Sequence, residues 1–124
     1  MNKVMLIGRV DALPELRYSP EGAPVCILRL AIDSPATDAE GNATLRTEWH
    51  RVVVFSHMAE ACGHRLKRGA LVYVEGRLQT RRWKDAHGHT LASTEVRTDD
   101  VRFLAGVDET PSEYAKYIPR RQMG

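Results

Sequence analysis

Apolar and polar residues alternate over several segments of the chain, a pattern typical of β-strands with one buried face. Such segments lie at 3–10, 15–18, 25–32, 47–55, 71–83 and 91–103. Residues 34–44 include Pro35, Gly41 and Asn42 but almost no large apolar side chain, so we expect a flexible loop or hairpin tip there.

One segment has a different period. Met58, Cys62 and Leu66 recur at four-residue spacing and predict a helix over about 58–68, with Ser56 placed to cap its first turn. The order along the chain is therefore three main strands, a short helix and a two-stranded ribbon. This order predicts an all-β fold with one short helix, namely a five-stranded OB-fold barrel with extended β-hairpins.

The chain has 124 residues, enough for one domain with its own core. We place the OB-fold domain at 1–106, because the alternation stops there, and a tail at 107–124. The sequence leaves open whether this tail is disordered or packs on an oligomer. The net charge is only +2, but residues 44–91 carry nine Lys or Arg against four acidic residues. The basic charge is therefore concentrated on the middle strands.

Two of the predicted strands combine aromatic and cationic side chains on one face. In the strand at 47–55, Trp49, Arg51 and Phe55 share a face, and His50 points away. In the strand at 71–83 one face carries Tyr73, Glu75, Arg77, Gln79, Arg81 and Trp83, and the other carries Val72, Val74, Gly76, Leu78 and Thr80. Flat rings between arginines on an uncovered sheet face suit unpaired bases on a phosphate backbone.

Structural roles could explain the same residues. A tryptophan on a strand is commonly buried, although neighbouring arginines oppose burial because an unpaired guanidinium is costly inside a protein. The arginines could also form surface ion pairs with Glu48, Glu75 and Asp85. Arg82 is a weaker candidate than Arg81 for a shared site, since alternation places it opposite Trp83.

Composition and motifs argue against other classes. Cys26 and Cys62 lie among apolar neighbours, as reduced core thiols of a cytoplasmic protein do, and no apolar run approaches the ~20 residues of a membrane span. His87 and His89 fall at a predicted turn without supporting ligands, so we expect no metal. No catalytic arrangement or phosphate-binding glycine loop is recognisable, which predicts a non-enzyme without a cofactor.

The same segments resemble the bacterial single-stranded DNA-binding proteins. The resemblance is carried by MNKV at 1–4, PELRY at 14–18, TEWHRVV at 47–53, AE at 59–60, VYVEGRL at 72–78 and TRRW at 80–83. It runs in order to about Gly106. It implies an OB-fold that assembles as a homotetramer and wraps single-stranded DNA without sequence preference in DNA replication, recombination and repair. The implied setting is the cytoplasm, in association with the nucleoid.

The resemblance also implies roles for individual residues. The family's base-stacking aromatics match Trp49, Phe55 and Trp83. Its cations that contact the DNA backbone match Lys3, Arg17, Arg51, Lys67, Arg68, Arg81 and Arg82. His50 matches a position at the subunit interface.

The chain departs from the family pattern in three places. Pro35 and Ala36 stand where a further stacking tryptophan is common, and Leu91 or Ala92 where another aromatic is frequent. Because one stack contributes about 1–3 kcal/mol, we expect weaker binding or a different binding mode. Residues 107–124 also lack the acidic, Phe-terminated tip through which the family recruits replication and repair proteins. We therefore do not expect such recruitment through this tail, although these proteins stay candidate partners.

Two alternatives to single-stranded DNA binding stay open. One is an OB-fold adaptor of the primosome or replication-restart type, which would act mainly through protein contacts. The missing tryptophan and acidic tip favour it, and the retained rings and arginines oppose it. The other is RNA binding, because base stacking alone does not detect the 2′-hydroxyl.

Overall fold

The computed structural model describes residues 1–107, which form six strands and one helix. The strands are β1 (Val4–Val10), β2 (Glu15–Tyr18), β3 (Pro24–Thr37), β4 (Ala43–Phe55), β5 (Leu71–Lys84) and β6 (Thr90–Ala105), and the helix is α1 (Ser56–Arg65). Apart from Val107, the predicted tail lies outside the described residues. Within the described part, no helix is long and apolar enough to cross a membrane.

Five of the strands close into a barrel. The pairs β1–β5, β5–β6, β4–β6 and β3–β4 form a continuous sheet, and a short pairing of β1 with β3 at Arg9 and Val10 closes it. Among the strand pairs formed by residues 1–107, only β4–β6 is parallel. The short strand β2 is added to the free edge of β3. The predicted five-stranded OB-fold is confirmed.

Alternate residues of the strands fill the barrel interior, as the period-two pattern predicted. The core includes Val10, Cys26, Leu28, Leu30, Val52, Val54, Val72, Val74 and Val96, and α1 adds Ala59 and Cys62. Both cysteines are free and fully buried. Burial raises the pKa of Cys26 to about 11 and that of Cys62 to about 12, so both thiols stay protonated and unreactive at neutral pH.

The helix begins two residues earlier and ends three residues earlier than the spacing of apolar residues predicted. Ser56 is its first residue rather than its cap, and its positive φ of 64° turns the chain sharply from β4 into α1. The helix ends at Arg65, and Leu66 is already extended, although its side chain still packs in the core. The four-residue spacing therefore identified side chains that face the core but placed the helical backbone two to three residues too far along the chain.

Of the two expectations for 34–44, the hairpin tip is confirmed and the flexible loop is wrong, because paired strands extend into this segment. The strands β3 and β4 stay paired as far as Thr37 and Ala43, so only 38–42 form the turn. The Asp38 carboxylate accepts hydrogen bonds from the backbone N–H groups of Glu40 and Asn42 at 3.0 and 2.8 Å. This hairpin arm extends past the barrel with both faces in solvent. It therefore lacks the apolar alternation by which strands are predicted.

A second long hairpin is formed by β5 and β6. Their pairing shifts register between Glu75 and Arg77, and the ribbon beyond this bulge leaves the barrel. Leu78 was assigned to the apolar face with Val72 and Val74, but it is 48% exposed because no core lies beneath the ribbon.

Candidate nucleic-acid interface

The register of four strands brings the predicted rings and cations together on one outer surface. Residues paired directly across strands point to the same side of a sheet. Arg51 of β4 pairs with Arg29 of β3, and Val53 of β4 pairs with Arg97 of β6. We define the ring face by Arg29 on β3, Trp49, Arg51 and Phe55 on β4, Arg77, Arg81 and Trp83 on β5, and Glu95 and Arg97 on β6.

The rings of this face are accessible. Trp49 is 52% exposed and Trp83 is 38% exposed, so neither is a core residue, and Phe55 is partly buried. The alternative that Trp49 and Trp83 are core residues is therefore wrong: in the structure of residues 1–107 both lie at the surface. Exposed indoles on a solvent-facing surface carry a hydration cost that a stacked base would remove.

An arginine guanidinium lies over each of the three rings. The distances from the guanidinium carbon to the ring centre are 5.2 Å for Arg29 and Trp49, 4.3 Å for Arg97 and Phe55, and 4.4 Å for Arg81 and Trp83. Such cation–π contacts hold a positive charge directly beside the surface on which a base would stack. A strand lying along this face would meet a cation at every ring.

Trp49 is fixed by a second contact. Its indole Nε1–H donates to Oδ2 of Asp11 at 2.8 Å, and Asp11 also lies 3.7 Å from Nε of Arg29. The indole therefore has a set orientation, which lowers the entropy cost when a base stacks on it.

A buried carboxylate lies between two of the arginines. Glu95 is only 7% exposed, and its Oε2 is 3.0 Å from Nε of Arg51 and 3.8 Å from Nε of Arg81. The ion pairs considered from the sequence used Glu48, Glu75 or Asp85 instead. Neither Arg51 nor Arg81 pairs with any of those three within residues 1–107.

An open pocket of about 460 Å³ adjoins the ring of Phe55. It is lined by Phe55, Glu75, Gly76, Arg77, Arg97, Thr98 and Asp99. Gly76 makes this shape possible, because a Cβ there would lie 2.9 Å from Cβ of Thr98 and closer still to the Arg97 carbonyl oxygen. The bulge and the pocket therefore depend on the same glycine.

Two more of the predicted cations border the ring face. Lys3 lies 2.5 Å from Oε1 of Glu75, and this hydrogen-bonded ion pair raises the pKa of Lys3 and lowers that of Glu75. Arg17 is opposite Val25, which is in turn opposite Phe55, so Arg17 points to the same side as that ring. Its guanidinium is 2.7 Å from Glu15. Both cations are held on the surface by an acidic neighbour.

The remaining predicted cations are not among the residues that define the ring face. Lys67 and Arg68 are in the turn between α1 and β5, whose Gly69 N–H donates to the carbonyl of Val10 at 2.8 Å. This turn is at the end of β1, where Val10 precedes Asp11, the hydrogen-bond partner of Trp49. Arg82 pairs with Ala92 and points to the side of the ribbon opposite Trp83, as strict alternation predicted.

His50 lies on the opposite side of β4 from the tryptophan beside it. It pairs with the buried Leu30, its side chain is 37% exposed, and Nε2 is 4.0 Å from Oε2 of Glu48. This orientation agrees with the expectation that His50 takes no part in the ring face.

Sequence reasoning missed Arg29, Arg97 and Glu95. Arg29 stands between the apolar residues Leu28 and Leu30, so its exposure on the outer face could have been inferred from alternation. Arg97 and Glu95 gave no such signal, because their segment is acidic overall and their partners are set by the pairing of β6 with β4.

The closed barrel with its single helix defines an OB-fold protein, and the ring face lies on the outer surface of that barrel. The chain belongs to the single-strand binding protein family, whose model matches residues 1–104.

Curated relatives and solved structures agree with this assignment. The single-stranded DNA-binding proteins of Neisseria meningitidis serogroup A (serotype 4A) and serogroup B are each 38% identical over 109 residues, or 88% of this chain. The chain spans 63% of the length of these relatives.

Two solved structures are also similar. The SSB of Plasmodium falciparum in complex with single-stranded DNA has a TM-score of 0.76 and 32% identity, with coverage of 85% of this chain and 96% of that one. A deletion mutant of the single-stranded DNA binding protein from Thermus aquaticus has a TM-score of 0.73 and 35% identity, with coverage of 86% and 51%.

Proposed function

We propose that the protein binds single-stranded DNA without sequence preference and protects it during replication, recombination and repair. The observation that carries this proposal is the ring face, where three accessible rings each lie under an arginine. The similarity to an SSB in complex with single-stranded DNA supports the same ligand. Binding of this kind requires no chemical step, so we propose a non-enzymatic role.

The cations of this surface supply the first part of the affinity. When Lys and Arg side chains replace the ions condensed on a DNA strand, those ions are released and binding becomes sensitive to salt. We propose this role for Arg51, Arg81, Lys3 and Arg17, which lie on or beside the ring face. For Lys67, Arg68 and Arg82 we propose a contact farther along a strand that continues past it.

The rings supply the second part. We propose that Trp49, Phe55 and Trp83 stack on bases, which tolerates any sequence because every base has a flat face. The arginine over each ring either shares the ring with the base or swings to a phosphate. Duplex DNA should bind poorly, since its bases are already stacked on one another.

We also propose that the chain forms a homo-oligomer, and a homotetramer in particular. Strand β1 is paired with β5 along Val4–Arg9 but with β3 only at Arg9 and Val10, so much of its second edge is open. Met5 and Ile7 on its outer side are 63% and 56% exposed. An open edge with apolar side chains is suited to pairing with a second copy. We propose that His50 contacts a neighbouring subunit.

Ile7→Glu is expected to reduce the mass of the assembly, because a buried unpaired carboxylate opposes association. Sedimentation velocity at several protein concentrations measures this mass. The matched control is Leu104→Glu, at an exposed position of β6 outside the proposed edge. Equal masses for wild type and Ile7→Glu would contradict an interface at β1.

Binding is tested by following tryptophan fluorescence during titration with poly(dT) at low and high salt. We expect quenching that saturates at a defined number of nucleotides per subunit, and an affinity whose logarithm falls with the logarithm of salt by about 0.7 per phosphate bound. Duplex DNA and poly(U) should compete weakly. If no quenching occurs at low salt, the proposed function is wrong and an adaptor role gains support. Strong competition by poly(U) would point to RNA.

A further inference from the structure

We infer that Glu95 is a positioning residue that holds Arg51 and Arg81 as a pair for the phosphates of the bound strand. This inference rests on the proposed function. A carboxylate within a cationic face would ordinarily repel DNA, yet Glu95 is in the middle of the ring face and almost completely buried. Its burial keeps it from direct contact with a strand, so any role in binding passes through the two arginines.

The geometry shows how the carboxylate acts. In both ion pairs the nitrogen nearest to Glu95 is Nε, which hydrogen-bonds at 3.0 Å in Arg51 and lies at 3.8 Å in Arg81. A guanidinium has one N–H on Nε and four on its two terminal nitrogens. Within residues 1–107 neither arginine pairs with any other carboxylate. Glu95 therefore hydrogen-bonds the inner nitrogen of Arg51 and lies nearest to that of Arg81, which leaves the terminal nitrogens of both arginines for a bidentate phosphate contact.

The two arginines are well placed to bind phosphates. Their side chains are 41% and 49% exposed, against 8% for the carboxylate between them. Arg51 follows Trp49 on β4 by two residues, and Arg81 lies over the ring of Trp83 on β5. The Glu95 carboxylate on β6 thus positions two arginines that lie beside rings on β4 and β5. Without Glu95, each arginine side chain would be mobile in the free protein and would become ordered when it binds a phosphate. This loss of conformational entropy would weaken the complex.

Glu95→Gln tests this, because it keeps the size of the side chain and removes the charge. We expect the dissociation constant for a (dT) oligonucleotide to rise about twofold to tenfold for each arginine released. The slope of log affinity against log salt should become shallower by about 0.7 for each phosphate that the variant no longer binds. Glu48→Gln is the matched control, since it changes the net charge equally at an exposed carboxylate on the other side of β4. It should leave binding unchanged or slightly tighter.

A double-mutant cycle separates positioning from a general effect on folding. Arg51→Lys keeps the charge but has a single nitrogen, which Glu95 would occupy. We expect it to weaken binding in the wild-type background and to have much less effect in Glu95→Gln, where the lysine is free to meet a phosphate. Additive effects of the two substitutions would overturn the inference. So would tighter binding by Glu95→Gln, since the carboxylate would then be a competitor of phosphate.

The wild-type titration keeps this inference distinct from the proposed function. If wild type does not bind the oligonucleotide, the proposed function fails. If wild type binds and Glu95→Gln binds equally well with the same salt slope, only the role of Glu95 fails. Urea denaturation of each variant confirms that binding is compared between folded proteins.

Discussion

Trp83→Ala is expected to weaken binding to a (dT) oligonucleotide about fivefold to a hundredfold. The reason is the removal of one stacking surface, which contributes about 1–3 kcal/mol per base. Trp83 lies on the part of the β5–β6 ribbon that extends past the barrel and is 38% exposed. Removing it should therefore change binding much more than stability. Anisotropy of a labelled oligonucleotide measures the affinity without relying on tryptophan fluorescence.

Two variants make this result specific. Trp83→Phe keeps a ring and should restore most of the affinity, whereas Leu104→Ala removes an exposed apolar side chain outside the ring face and should have no effect. If Trp83→Ala binds as tightly as wild type, Trp83 is not a stacking site. Because Arg81 lies 4.4 Å from the ring centre, part of the weakening could come from releasing this arginine. Trp83→Phe retains a ring for both the base and the guanidinium, so the affinity that it recovers measures the two contributions together, whereas Arg81→Ala beside an intact Trp83 measures the contribution of the arginine.

Much of the ring face was predictable because it depends on local alternation. Trp49, Arg51 and Phe55 lie on one strand, and their common side follows from the period of two, whatever the rest of the fold is. The same holds for Arg81 and Trp83. The order of strands and helix was enough to predict the barrel, since few folds satisfy it.

The parts that were not predictable depend on pairing between distant segments. Glu95 reaches Arg51 because β6 lies beside β4 in a parallel register, although the two residues are 44 positions apart in the sequence. Nothing in the local pattern around Glu95 shows this. Leu78 was misplaced because alternation identifies a side of a strand but not whether that side covers a core. The paired strand residues within 34–44 were missed for the related reason that both of their faces meet solvent.

Gly76→Ala is expected to lower the free energy of unfolding by about 1–3 kcal/mol, the typical cost of overpacking a fixed structure. The added Cβ would lie 2.9 Å from Cβ of Thr98 and would also overlap the Arg97 carbonyl oxygen. That carbonyl belongs to the backbone of β6, which cannot move without disturbing its pairing with β5. Thr98 is also constrained, since its hydroxyl donates to the Glu75 carbonyl at 2.5 Å. Urea denaturation measures the change.

Gly88→Ala is the matched control for a glycine replacement. Gly88 has a φ of 80° at the tip of the β5–β6 hairpin, and no atom of residues 1–107 lies within 4 Å of an added Cβ. Gly88→Ala is expected to lower the free energy of unfolding by about 1–2 kcal/mol at most, because alanine disfavours the left-handed backbone conformation. The hairpin tip can relax this strain locally without moving the barrel. The barrel transition should therefore shift less than in Gly76→Ala. If Gly76→Ala is as stable as wild type, the backbone of β6 can shift at the bulge and accommodate the added methyl group.

Gly76→Ala is also expected to disturb the ring face, because Gly76 contacts the backbone of Arg97. Displacing the backbone of Arg97 would move its guanidinium from the ring of Phe55, 4.3 Å away, and would change the pocket that both residues line. We therefore expect Gly76→Ala to bind (dT) more weakly even under conditions where it is fully folded, whereas Gly88→Ala keeps this part of the ring face intact. If folded Gly76→Ala binds like wild type, the Phe55 end of the ring face contributes little to affinity. Stacking would then depend mainly on Trp49 and Trp83.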